Sequence, residues 1–317
     1  MLVTLEELRA AQQRVSGVAV HTPLVVFGDG LWVKAEGLQP IGSFKLRGAY
    51  NKVASLTPAQ RACGVITYSS GNHAQGVAYA ARAVGAKAII VMPNNAPLIK
   101  VKATQALGAE IVTVGPTTGE RQARAEELAA QHGYVIIPPY NDRDIIAGQG
   151  SCGLEIMADR PTVDLVIAPV GGGGLISGVS AAVKLLNPAV RVVGVEPVFA
   201  NDAAQSFKAG HIVAFTGDQS QTAADGLRSQ SVGSLNFKHI QAYVDDIITV
   251  TEEEIREAMR RTVAATRLVP EPSGVVTVAA ALFHREQLPP ARETVAIMSG
   301  GNVDPSFLRS VLEPASR

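Results

Sequence analysis

Short β-branched runs alternate with longer helical stretches along almost all of this 317-residue chain, and that alternation limits the fold more than any single motif. Strand-like runs fall at 31–36, 64–68, 86–92, 110–114, 134–137, 163–168, 191–196, 247–250 and 294–298. Helical patterns cover 73–84, 98–107, 119–132, 145–158, 175–186, 252–267 and 274–284. The capping box Thr4-Leu5-Glu6-Glu7 opens a further helix, and Thr251 is placed to cap the one from 252. Repeated β–α alternation predicts an α/β fold: open, mainly parallel sheets with helices on both faces. Residues 201–245, richer in Gly, Ser, Gln and Asp, lose this rhythm.

The length exceeds that of a single small domain, so two lobes are expected. Apolar residues make up 47% and aromatics 5%, so Ala, Val, Ile and Leu must build the core, which suits helix-covered parallel sheets. Lys plus Arg equals Asp plus Glu, 28 each, with no block of like charge, which argues against a nucleic-acid partner or a polybasic membrane patch. Residues 165–183 are uncharged and long enough to span a bilayer, but Pro169 and four glycines within them point to a strand, a loop and a helix. No membrane span is expected. Cys63 and Cys152 match no metal-ligand spacing and Met1-Leu2-Val3-Thr4 begins no signal peptide, so a reducing cytoplasm is the expected setting.

Candidate functional residues cluster where strands end. Lys45, in Gly42-Ser43-Phe44-Lys45-Leu46-Arg47-Gly48-Ala49, is flanked by an aromatic residue and a leucine. Burial disfavours the charged form of a lysine, and a neutral amine can attack a carbonyl. A surface lysine opening an ordinary helix is the other reading. Gly171-Gly172-Gly173-Gly174-Leu175 separates a buried strand from a helix start, which suits a phosphate or a purely structural turn. Ile176 and Ser177 stand where a dinucleotide fingerprint needs glycine, and no Walker-type Gly-Lys-Ser/Thr follows.

Ser69-Ser70-Gly71-Asn72-His73-Ala74-Gln75-Gly76 joins a strand to a helix. It can hold a substrate carboxylate or simply cap the helix, and His73 alone reads as a structural residue. Ser299-Gly300-Gly301-Asn302 follows another strand, at the sheet edge where α/β ligands bind. In Glu196-Pro197-Val198-Phe199-Ala200-Asn201-Asp202, two carboxylates and a backbone carbonyl have the spacing of a hard-cation site or of a solvated turn.

In this order, the Ser-Phe-Lys-Leu-Arg-Gly segment, the Ser-Ser-Gly-Asn-His-Ala-Gln loop, the tetraglycine loop, Ala224-Asp225-Gly226 and Ser-Gly-Gly-Asn resemble the fold-type-II pyridoxal-phosphate enzymes. The likeness is specifically to the serine/threonine dehydratase and serine racemase family, over nearly the whole chain. It implies two open α/β lobes with the cofactor, pyridoxal 5'-phosphate, in the crevice between them. A large domain would comprise 1–51 and 144–317, and a small mobile domain 52–143. Lys45 would be the Schiff-base lysine, Phe44 would pack on a cofactor face, and Gly171–Gly174 with Leu175 would hold the phosphate. Asn72 would meet the ring hydroxyl, Ser299 the pyridine nitrogen, and Ser69, Ser70, Gly71, Asn72 and His73 the substrate carboxylate.

Glu196, Ala200 and Asp202 match the divalent-cation site (Mg, Mn or Ca) of the racemase-like branch, although Val198 and Phe199 replace its usual small polar pair. The resemblance further implies a homodimer and an amino-acid substrate. The expected reaction is elimination from a β-hydroxy amino acid such as L-threonine or L-serine, giving a 2-keto acid and ammonia. Ser70 matches the serine that works on the face opposite the lysine in racemases, so serine racemisation with side elimination stands as an alternative. A hydroxyaspartate-type dehydratase is another, and a non-catalytic amino-acid-binding module is a remote one. The chain ends soon after the Ser-Gly-Gly-Asn turn, which leaves no room for a feedback domain and favours a catabolic or dedicated enzyme.

Overall fold

The computed structural model describes residues 1–69, 71–96, 98–115 and 117–313. Its strands are β1 (Leu24–Gly28), β2 (Leu31–Ala35), β3 (Val65–Tyr68), β4 (Ala88–Pro93), β5 (Glu110–Val114), β6 (Val135–Ile136), β7 (Leu165–Pro169), β8 (Arg191–Pro197), β9 (Asp246–Val250) and β10 (Thr294–Met298). The first helices are α1 (Leu5–Val15), α2 (Lys45–Ser55), α3 (Pro58–Cys63), α4 (Asn72–Ala83), α5 (Leu98–Ala106), α6 (Thr118–His132) and α7 (Arg143–Asp159). They are followed by α8 (Gly174–Leu186), α9 (Asp202–Ala209), α10 (Ser234–Tyr243), α11 (Glu252–Thr266), α12 (Val276–Phe283) and α13 (Pro305–Leu312).

Two sheets result. One runs β1-β2-β10-β7-β8-β9 and the other β5-β4-β3-β6. Every neighbouring pair is parallel except the hairpin β1–β2. Successive side chains of a strand point to opposite faces. Leu165, Ile167, Val193 and Val195 accordingly build the core under α11 and α12, whereas Val166, Ala168 and Val192 build the core under α8. Burial on both faces explains the continuous apolar runs. A third core, with Val65, Val77, Ala81 and Ile90, belongs to the smaller sheet. Among the described residues no helix is long and apolar enough to cross a membrane.

The expected strands and helices are present within a few residues, and Thr4 and Thr251 both form capping boxes. The hairpin strand β1 was not anticipated, although Gly28, Asp29 and Gly30 all take positive φ in the turn that closes it. The irregular 201–245 region contains α9 and α10, short helices of 8 and 10 residues. Because the strands are parallel, the loops after β7, β8 and β10 gather at one edge of the large sheet. These loops carry the glycine run, Glu196 and Ser299.

Candidate active site

Lys45 is the first residue of α2, and the turn after β10 holds the segment before it. The Phe44 N–H donates to the Ser299 carbonyl at 3.0 Å, the Gly301 N–H donates to the Gly42 carbonyl at 2.9 Å, and Ser43 bridges Gly300. Gly42, at φ +72°, lies so close to Asn302 that a Cβ there would meet its Oδ1 at 2.3 Å. The Lys45 Nζ donates to the Pro139 carbonyl at 2.9 Å and lies 5.2 Å from the centre of the Phe44 ring. Burial pushes its pKa from the ordinary 10.5 down to about 8.

Pro139 links the lysine to the glycine loop. The next residue, Tyr140, packs across that loop: a Cβ on Gly172 would lie 2.2 Å from the Tyr140 ring, and one on Gly174 would lie 3.0 Å from the Tyr140 Cβ. Only glycine leaves room for this contact. The N–H groups of Gly171, Gly172 and Gly173 find no protein acceptor among the described residues, and Gly174 begins α8. Unpaired donors at a helix N-terminus favour an anion. Burial raises the Tyr140 phenol to about 12, with Tyr68 and Asp202 adding to the shift.

Asn72 opens α4, and Gly76 lets that helix approach the Lys45 carbonyl, which a Cβ would meet at 3.2 Å. The Asn72 Nδ2 donates to Glu271 Oε1 and its Oδ1 accepts from Asn302 Nδ2, each at 2.8 Å. Ser69 Oγ accepts from the Gly71 N–H at 3.3 Å. Ser70 lies outside the described residues. His73 faces inward, with Nε2 3.0 Å from the Ile137 carbonyl; burial, then the Lys45 charge, push its pKa to about 3. The ring is therefore neutral and donates to that carbonyl, so in the expected carboxylate loop His73 offers only its main chain.

At the end of β8, Glu196 accepts from the Ala203 and Ala204 N–H groups at 3.2 and 2.7 Å. Asp202 is buried beside it, and neither of its carboxylate oxygens has a hydrogen-bond partner. Burial raises both carboxyls, and the Asp202 charge raises Glu196 further. Ala200 is buried in the same loop. Ser299 is buried at the end of β10, and the Ser43 hydroxyl beside that turn is buried without a partner.

The chemistry of this donor set fits pyridoxal phosphate: an uncharged-prone amine, unpaired amides for a phosphate, and neutral side chains between them. The comparisons agree. A family model described as pyridoxal-phosphate dependent enzyme matches residues 19–300. The chain belongs to this family. It therefore uses pyridoxal phosphate as its cofactor, and it has the fold-type-II architecture of its structural neighbours. It is 41% identical to the L-threonine ammonia-lyase of Thermotoga maritima over 98% of this chain and 78% of that protein. The crystal structure of the threonine deaminase of T.th. superposes with a TM-score of 0.90 at 42% identity, covering 95% of this chain and 99% of that one. The structure of maize serine racemase gives 0.93 at 36% identity, over 98% and 97%.

Three parts of this region leave no contiguous motif in the sequence. Tyr140 covers the glycine loop, and Glu271 holds Asn72. Arg47, fully buried, pairs with Glu36 at 2.7 Å and Glu155 at 2.6 Å, and Lys34 joins Glu155 at 2.7 Å. Burial penalises the Glu36 carboxylate, but Arg47 outweighs that and keeps its pKa below the ordinary value. A lysine inside the apolar run Leu31–Ala35 was the one local signal of this buried network.

Proposed function

We propose that the chain is an ammonia-lyase that converts a β-hydroxy amino acid, L-threonine or L-serine, to a 2-keto acid and ammonia by α,β-elimination. One observation carries this: a desolvated Lys45 amine held by a carbonyl, between the cover of the glycine loop and the Ser299 turn. Such an amine is a base near neutral pH and a nucleophile towards an aldehyde. Relatives named for threonine ammonia-lyase and threonine deaminase activity support the substrate class.

In this reading the amides of Gly171–Gly174, with Leu175, hold the cofactor phosphate. Asn72 meets the ring oxygen, Ser299 the ring nitrogen, and Phe44 packs on a ring face. When bound, the cofactor supplies an electron sink for the charge left at Cα. Lys45 removes the Cα proton. Ser69, Gly71 and the first N–H groups of α4 bind the substrate carboxylate, as a helix N-terminus favours. The neutral Ser299 hydroxyl puts no negative charge beside the ring nitrogen, which favours prompt loss of the β-hydroxyl. That group leaves as water; the released product takes water back and loses ammonia. We assign Ser70 proton delivery on the face opposite Lys45, which makes racemisation the competing outcome.

Glu196, the Ala200 carbonyl and Asp202 would hold a divalent cation (Mg, Mn or Ca), since two carboxyls are buried together and the Asp202 oxygens have no hydrogen-bond partner. The reading also takes 52–143 as a small mobile domain closing on 1–51 and 144–317, in a homodimer located in the cytoplasm. The test is to incubate pure protein with L-threonine, L-serine and threo-3-hydroxyaspartate and to measure keto acid and ammonia. Equal amounts of both from threonine or serine are expected. D-serine in excess of pyruvate would replace the lyase by a racemase, and a protein without a visible cofactor band would end the cofactor reading.

A further inference from the structure

Glu271 lies between two prolines, Pro270 and Pro272, and the mechanism above gives it no role. Its backbone is pinned, the N–H donating to the Gly300 carbonyl at 3.1 Å and the carbonyl accepting from the Gly274 N–H at 2.9 Å. The side chain is 4% exposed and passes over the turn after β10, where a Cβ on Gly300 would sit 2.2 Å from its Oε1. A glycine at 300 is thus required for the carboxyl to reach α4. There its Oε1 accepts from Asn72 Nδ2.

An amide has a donor end and an acceptor end, and the neighbours decide which way it faces. The Asn302 Nδ2 donates to the Ile41 carbonyl at 2.8 Å, a group that can only accept, and also donates to Asn72 Oδ1. At the other end Glu271 accepts. Flipping the Asn72 amide would set its NH2 against that of Asn302 and lose that bond, whatever the protonation state of Glu271. One Asn72 hydrogen is then bound by Glu271 and the second is left for the crevice.

We propose that Glu271 is a positioning residue that holds the Asn72 amide with its free N–H towards the cofactor's ring oxygen, so that this oxygen is kept as an acceptor. The inference rests on the reading of Asn72 as the ring-oxygen partner. Asp225 and Lys100, which face Glu271 from the neighbouring segments, pair with each other at 2.6 Å and leave Asn72 as its side-chain partner.

The test compares Glu271→Ala, Glu271→Gln, Asn72→Ala and the double variant. The readouts are kcat, KM, the ratio of the cofactor's long- and short-wavelength absorbance bands, and cofactor affinity from titration of the apoproteins. Glu271→Ala should lower kcat by roughly 10–100-fold, the equivalent of one or two oriented hydrogen bonds, with a much smaller change in KM. It should shift the band ratio to short wavelength and weaken cofactor affinity. Glu271→Gln, which can still accept from Asn72, should recover most of both. Asn72→Ala should match Glu271→Ala, and the double variant should add nothing. A Glu271→Ala protein with an unchanged band ratio, or additive effects in the double variant, would overturn the inference while leaving the reading of Asn72 intact. An unchanged ratio in Asn72→Ala would instead overturn that reading, and the inference with it.

Discussion

The amine of Lys45 donates to the carbonyl of Pro139 rather than to any carboxylate, 2.9 Å away and one residue before the tyrosine that covers the glycine loop. A carboxylate there would have raised the lysine pKa and kept it charged. A carbonyl carries no net charge, so burial prevails and the amine is poised near neutrality. The same short segment fixes the spacing between the lysine and the glycine loop.

This relationship predicts how the apoprotein captures its cofactor. Only the neutral amine attacks an aldehyde, and its pKa of about 8 makes that form abundant well below the ordinary lysine value of 10.5. The rate of pyridoxal-phosphate capture by stopped-flow absorbance should rise with pH and level off above about 8. A midpoint near the ordinary 10.5 would show that Lys45 is not desolvated. Lys45→Ala should show no visible band and lose about 10²–10⁴ in activity or more.

The buried network beneath α2 predicts a stability effect. Arg47 reaches Glu36 and Glu155 with no exposed surface, and it lies two residues beyond the lysine. Arg47→Met would leave those carboxylates with Lys34 as their remaining cation, and removing one partner of a buried ion pair costs about 3–5 kcal/mol. The urea midpoint of the apoprotein should fall accordingly. A loss under about 1 kcal/mol would mean that water reaches the carboxylates.

The orphaned Asp202 carboxylate predicts a metal response. A cation bound only by the folded protein stabilises it by mass action, about 2.7 kcal/mol at a hundredfold excess over Kd. Chelator should lower Tm, and Mg, Mn or Ca should restore it. Asp202→Asn should abolish the response. An unchanged Tm in all three ions would leave Glu196 and Asp202 as a buried acidic pair without a metal.

The candidate site residues that the sequence displays are those in contiguous motifs at strand ends. Lys45, Gly171–Gly174 and Ser299 were legible because a turn after a parallel strand needs particular residues side by side. Arg47 with Glu155, and Asn72 with Glu271, are 108 and 199 residues apart. Pairs at that separation leave no local period, and a buried charge is recognisable only once its partner is placed. The sheets were readable from their β-branched runs, whereas α9 and α10, of 8 and 10 residues, were not, because helices that short lie in a stretch rich in Gly, Ser, Gln and Asp.

Glu271 predicts a pH dependence of stability that can be isolated by one substitution. Burial, helped by the Asp225 charge, raises its pKa from 4.5 to about 8. Below about 4.5 the group is protonated in both folded and unfolded chains and contributes no difference. Between about 4.5 and 8 the folded state binds more protons than the unfolded one, so stability falls as pH rises, by about 1.4 kcal/mol per unit at most. Above about 8 both states are ionised and the whole penalty is present. Glu271→Gln removes the titration but keeps the shape and the acceptor for Asn72. Urea midpoints of wild-type and variant apoproteins should therefore diverge as pH climbs from about 5 to 8, with the variant the more resistant at the upper end. Parallel curves would mean that the carboxyl is already ionised in the folded protein at the acidic end of that range.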